Sequence, residues 1–203
     1  MTALQEPEAP ELFALALVGL RAAASAAQRP GTLLLTEVPA PRRLAPYAVA
    51  ISAEVSRDDE QIANGRLVVL HDPAGQQGWW GETRVVAFVS ADVEAEMGAD
   101  PALADVGWSW LTESLAGHRA EHTAAGGTVT RTVSSTYGQI APDGRQEANE
   151  TNEVEIRASW TALADGAGQL DLGTHLQAWC DLLCATAGLP PPGVASLPPP
   201  RRG

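Results

Sequence analysis

The fold is decided by residues 65–110, which read GRLVVLHDPAGQQGWWGETRVVAFVSADVEAEMGADPALADVGWSW. Two apolar runs, Arg66–His71 and Arg84–Val89, flank the segment Asp72-Pro73-Ala74-Gly75. Its Asp, Pro and Gly stand at the first, second and fourth positions of a type I turn. The pattern therefore predicts two antiparallel strands joined by a long hairpin tip, roughly Asp72–Gly81.

A helix is predicted directly after this hairpin. Asp100 and Pro101 suit the N-cap and the first helical position, and apolar residues then recur at helical spacing to about His118. The pair Gly126-Gly127 predicts a turn, and Thr128–Gly138 reads as a Thr-rich strand.

A second dense block covers Val154–Leu189 and opens with strict alternation. We expect four of its residues to be buried, while Glu153 and Glu155 remain in solvent. The four are Val154, Ile156, Ala158 and Trp160. A last helix is predicted over about Asp171–Ala187, and Gly188 followed by Pro190 ends it.

The whole chain is predicted to be an α+β domain. A helix over Glu11 to about Gln28 and strands at Thr32–Glu37 and Tyr47–Val55 precede the hairpin. The order is helix, three or four strands, helix, two strands, helix, which favours an antiparallel sheet of five to six strands with helices on one face. We expect a flexible arm at residues 1–10, one domain at 11–189 and a Pro-rich tail at 190–203. This order is similar to that of secretion-chaperone-like domains, which bind other proteins.

Composition narrows the classes of partner. The net charge is -12, and the 13 basic residues are all Arg. A chain this acidic lacks the basic surface that would bind nucleic acids or anionic membranes. Two Cys, one helical turn apart, are too few for a disulfide scaffold, which favours a reducing cytoplasm. We expect no cofactor.

Several motifs together resemble a known family. They are EVPAPRRLAPYAVAISAEV, NGRLVVLHDPAGQQGWWGETRVVAFVSADVEAEM, DPALADVGWSWL, AAGGTVTRTVSSTYG, EIRASW and HLQAWCDLLCATAGLPP. The chain resembles the actinobacterial family of domains of unknown function numbered three thousand, over about residues 11–195. The resemblance implies a cytoplasmic protein of a high-GC bacterium, and it implies no activity, cofactor or catalytic residue.

Two groups of residues raise the possibility of chemistry. His71 and the adjacent Asp72 could act as a general base and the group that orients it, although neighbours on a strand point to opposite faces. Cys180 and Cys184 have the spacing of two zinc ligands, but His175 lies off their line, so we expect buried, reduced thiols and no metal.

Trp79 and Trp80 lie between Gly78 and Gly81 in the hairpin tip. On extended backbone the two rings diverge, so we expect one to pack on the sheet and the other to be exposed as a binding anchor. The competing interpretation is that both rings cap the sheet edge. The segment LPPPGVASLPPPRRG similarly suits either polyproline recognition or a plain extension.

Two functional hypotheses follow. The first is a non-enzymatic cytoplasmic protein-binding or adaptor domain that holds an unknown protein partner or a second copy of itself. Its candidate binding residues are Trp79, Trp80, Arg66, His71, Asp72 and Arg84. The alternative is a small-molecule enzyme whose polar site gathers His71, Asp72, Arg66, Arg84 and Arg157 on one sheet face. A convergent polar pocket would favour the enzyme, and an exposed apolar patch would favour the binder.

Overall fold

The computed structural model describes residues 10–137 and 149–189. Most of the predicted N-terminal arm, residues 138–148 and the Pro-rich tail lie outside these residues. The helices are α1 Glu11–Ala27, α2 Ala95–Ala99, α3 Leu103–Gly117 and α4 Leu172–Thr186. The strands are β1 Leu33–Val38, β2 Tyr47–Arg57, β3 Glu60–His71, β4 Thr83–Val93, β5 His122–Thr136 and β6 Asn149–Ala162.

The strands form one antiparallel sheet in the order β1-β2-β3-β4-β6-β5. The first four strands follow one another as a meander, and β6 returns between β4 and β5. This confirms the predicted α+β class. No helix within the described residues is long and apolar enough to cross a membrane.

The core lies between the sheet and α4, which α1 and α3 flank. Trp160 of β6 and Trp179 of α4 are both fully buried there. Helix α4 approaches β3 closely because Gly65 has no side chain: a Cβ at that position would lie 2.8 Å from Leu183 Cδ2 and 2.9 Å from Trp179 Cζ2. The absence of a side chain at Gly65 therefore allows α4 to pack this closely on the sheet.

The predicted register of β6 is confirmed in its buried set. The four residues predicted to be inside are all buried: Val154, Ile156, Ala158 and Trp160. Glu153 is exposed, whereas Glu155 is half-buried because its carboxylate pairs with Arg157, at 2.9 Å from Oε1 to Nε. A one-residue slip would have exposed the whole apolar set.

Several predicted boundaries are wrong, three of them for an identifiable physical reason. Helix α3 begins at Leu103, because Asp100 ends the short helix α2 and its Oδ1 then accepts from Ala102 N at 2.8 Å in an intervening turn. Strand β3 begins at Glu60, because Asp58 and Asp59 both adopt positive φ and form a two-residue hairpin turn.

The third error concerns Gly126-Gly127, which lies inside β5 and not in a turn. A Cβ on Gly127 would lie 2.3 Å from Arg157 O and 3.0 Å from the Trp108 ring. The glycine is needed because the neighbouring strand and a tryptophan both pack against its backbone, which local sequence does not reveal.

Candidate binding surface

The hairpin tip between β3 and β4 exposes one of its two tryptophans. Trp80 is 81% exposed, whereas Trp79 is half-buried. Trp80 is therefore the exposed member of the pair, but the two residues lie in a turn and not on the extended backbone from which the sequence prediction was argued. Trp80 also has a φ of 61°, a left-handed conformation that is costly for a bulky side chain.

Hydrogen bonds hold this tip in place. Asp72 Oδ1 accepts from Ala74 N at 3.0 Å, which forms the turn predicted from the sequence. The Thr161 hydroxyl donates to the carbonyl of Trp79, and a Cβ on Gly81 would lie 2.7 Å from Thr161 Cγ2. The tip is thus tied to the end of β6 by close backbone approach.

The face of the sheet opposite the helices carries a row of apolar residues. Register pairs join Val38 to Ala50, Ala50 to Val68, and Val68 to Val86. We call this side, which includes these residues and their alternating neighbours, the open face. Ala50 in this row is fully buried, whereas Val86 at its end is 38% exposed, so the accessible apolar surface lies at the Val86 end.

Arginines lie beside this apolar row. Arg66 and Arg157 are the register partners of Phe88 on either side. The Arg157 guanidinium lies 5.8 Å from the centre of the Phe88 ring, and Arg66 Nη2 donates to Pro39 O at 2.8 Å. The open face therefore presents the Phe88 ring next to two arginine side chains.

Arg84 cross-links the end of the open face near the Trp tip. Its Nη1 donates to Ala124 O and Thr161 Oγ1 at 3.0 Å each, and its Nη2 donates to Ser159 Oγ at 2.7 Å. Burial lowers the pKa of Arg84 from its ordinary value. With these partners Arg84 orders the strands beneath the tip.

His71 lies away from these arginines. It shares the helix-covered face, where its ring stacks on Phe13 at 4.5 Å between centres and its Nδ1 lies 2.9 Å from Thr83 Oγ1. Burial lowers the pKa of His71, and the nearby Glu82 and Asp72 oppose that shift.

The polar site of the enzymatic hypothesis is therefore not assembled. Alternation places the His71 side chain on one face of the sheet, while Arg66, Arg84 and Arg157 extend from the other. Asp72 lies in the turn after β3 and uses its carboxylate there.

The chain matches a family model described as "Protein of unknown function (DUF3000)" over residues 9–195. The chain belongs to that family. Comparison with curated proteins and with solved structures found no match. Membership in this family implies no activity or ligand, so a function can be proposed only from the geometry of the chain.

The candidate metal ligands Cys180, Cys184 and His175 lie in the core of the domain. Cys180 and Cys184 are both buried free thiols, and burial raises the pKa of each. His175 Nδ1 accepts from Trp160 Nε1 at 3.0 Å, and burial lowers the pKa of His175 to about 4. His175 is thus a neutral hydrogen-bond acceptor in the core.

A cleft with a volume of about 450 Å³ lies between α3 and α4, and no sequence motif predicts it. At one end His118 Nε2 and Asp181 Oδ2 are 2.7 Å apart, and Trp110 and Leu189 also line it. His118 and Asp181 are 63 residues apart in the chain, so no local motif could have linked them.

Proposed function

We propose that this chain is a non-enzymatic protein-binding domain, and that its contact surface is the open face together with Trp80. The observation that carries the proposal is the state of Trp80, a large aromatic side chain that is 81% exposed at a φ of 61°. Both properties oppose stability, and such strain persists where function requires it. Exposed tryptophan is the residue type most enriched among binding anchors.

The surroundings of Trp80 support this role. The bond from Thr161 fixes the backbone of Trp79, so little further ordering is needed when a partner binds. Val86, at the exposed end of the apolar row, supplies contact area beyond the anchor. Arg66 and the Phe88–Arg157 pair add polar groups at the side of this row.

The partner is an apolar segment of another protein or a second copy of this chain. We propose a cytoplasmic location, which the two free thiols support, and an actinobacterial source, which the family resemblance implies and the absence of Lys fits. Self-association through the open face would be symmetric, with Trp80 of each copy contacting the other.

Quantitative capture tests this function. The natural chain, Trp80→Gly and Val106→Ala are immobilised, and proteins retained from native lysate are measured by mass spectrometry. Val106 is a matched control because it is also exposed but lies on α3. We expect Trp80→Gly alone to lose the retained partner, or the second copy, by about fivefold or more. Equal retention by the three chains would contradict the proposal.

A further inference from the structure

The cleft between α3 and α4 is on the helix-covered side of the molecule and separate from the open face. Trp110, Leu189 and the bonded pair His118 and Asp181 line it, with His118 eight residues beyond Trp110 at the C-cap of α3 and Leu189 three residues beyond the last residue of α4. Eight helical residues span about 12 Å, which gives the cleft its length. Its volume of about 450 Å³ falls within the range of ligand pockets.

The lining combines apolar surface with negative charge. Trp110 and Ala185 supply the apolar part, while Glu113 and Asp181 contribute carboxylates. Arg29, which is not part of the lining, contacts Cys184 of the lining, with Nη1 at 3.7 Å from Sγ. An aromatic wall beside carboxylates suits a ligand that is apolar at one end and cationic at the other.

The chain carries a segment of this chemistry directly after the cleft. Leu189 is part of the lining, and residues 190–203 read PPPGVASLPPPRRG. Proline runs favour the polyproline II helix, which docks on tryptophan, and arginine pairs with carboxylates in fixed geometry. Pro198–Pro200 followed by Arg201 and Arg202 combines both properties in five residues.

The lengths also agree. Residues 190–197 contain Gly193 and Ser196 and give ample chain to turn back, since eight extended residues span about 25 Å. From Pro198 to Arg201 a polyproline II helix advances about 9 Å, and the long arginine side chain extends further. This covers the distance of about 12 Å along the cleft.

We propose that the cleft between α3 and α4 is a binding site for a proline-rich, arginine-bearing segment, and that Leu197–Arg202 of this chain occupies it. The prolines pack on Trp110 and Leu189, and the arginines pair with Glu113 and Asp181. The inference does not depend on the role of Trp80. It gives the Pro-rich tail an intramolecular partner, so an external segment of the same chemistry binds by displacing it.

A competition experiment tests the site in the full chain. A labelled synthetic peptide, SLPPPRRG, is titrated into the natural chain and into the double variant Arg201→Glu, Arg202→Glu, and binding is followed by fluorescence anisotropy. The natural tail is tethered beside the cleft and competes, so we expect the peptide to bind the double variant about tenfold more tightly. The affinity should fall as salt is added.

Two further charge reversals, made in the double variant, separate the cleft from general electrostatics. Glu113→Arg should abolish peptide binding, whereas Glu96→Arg should leave it within about twofold, because Glu96 is an exposed acid on α2 outside the cleft. Glu113 is also exposed, so its replacement should preserve the fold, which circular dichroism checks.

Three results would overturn the proposal. Equal affinity for the natural chain and the double variant would show that the tail does not occupy the site. An equal loss of peptide affinity in Glu113→Arg and Glu96→Arg would show that the peptide responds to the net charge of the protein and does not bind in the cleft. Absence of binding to the double variant would show that the cleft does not accept this segment.

Discussion

The buried hydroxyl of Thr161, at the end of β6, donates a hydrogen bond to the backbone carbonyl of Trp79. This bond joins β6, the last strand in the chain order, to the hairpin between β3 and β4. The same hydroxyl accepts from Arg84 Nη1 at 3.0 Å. One side chain therefore fixes both the exposed tip and the arginine beneath it.

Thr161→Val should lower the free energy of unfolding by about 1–3 kcal/mol, because it removes a buried hydroxyl and leaves the Trp79 carbonyl without that donor. Urea denaturation measures the change. Thr128→Val is the matched control: Thr128 is exposed on β5, and its replacement should change the free energy by less than about 0.5 kcal/mol. Similar effects at both positions would show that the Thr161 bond does not stabilise the fold.

Gly65→Ala should destabilise the protein by about 1–3 kcal/mol, since the added Cβ would lie 2.8 Å from both Leu183 Cδ2 and Phe88 O. Gly19→Ala should instead stabilise by about 0.5–1 kcal/mol, because Gly19 lies within α1 with nothing within 4 Å of the added atom. Thermal unfolding of the two variants compares them directly. Opposite signs are expected, and equal signs would contradict the packing of α4 on β3.

Stability should fall on mild acidification because of His175. Its folded-state pKa is about 4, below the ordinary value of 6.5, so between these values the unfolded chain binds a proton that the folded chain does not. The contribution is fully present above pH 6.5 and is lost progressively toward pH 4, by about 3 kcal/mol in all.

His175→Asn keeps an acceptor for Trp160 Nε1 but cannot titrate. Urea denaturation across this pH range should therefore show a shallower decline for the variant than for the natural chain. Some decline should remain, because burial also lowers the pKa of His71. Identical slopes for the two chains would show that His175 is not the source of the acid sensitivity.

The sequence predicted those features that depend on local periodicity. The alternation from Val154 to Trp160 specified which face of β6 is buried, because a strand has a period of two and only one face meets the core. The exposure of Trp80 is also as predicted, but its cause is different, because Trp80 lies in a turn with positive φ and not on a strand.

The features that the sequence did not predict depend on tertiary contacts. Gly127 reads as a turn residue, yet its role is to let the Trp108 ring and β6 pack against its backbone. His118 and Asp181 come together only when α3 packs beside α4. The grouping of His71 with Arg66 is different, because the two are five residues apart on β3 and strand alternation alone places them on opposite faces.

Photo-crosslinking tests the central claim, that Trp80 and the open face contact a protein partner. A photoreactive residue is placed at position 80, at position 86 on the open face, or at position 106 on α3, and the chains are irradiated in living cells. The account predicts that positions 80 and 86 form a covalent adduct with the same protein, or with a second copy, and that position 106 does not. Adducts from position 106 alone, or none from positions 80 and 86, would contradict it.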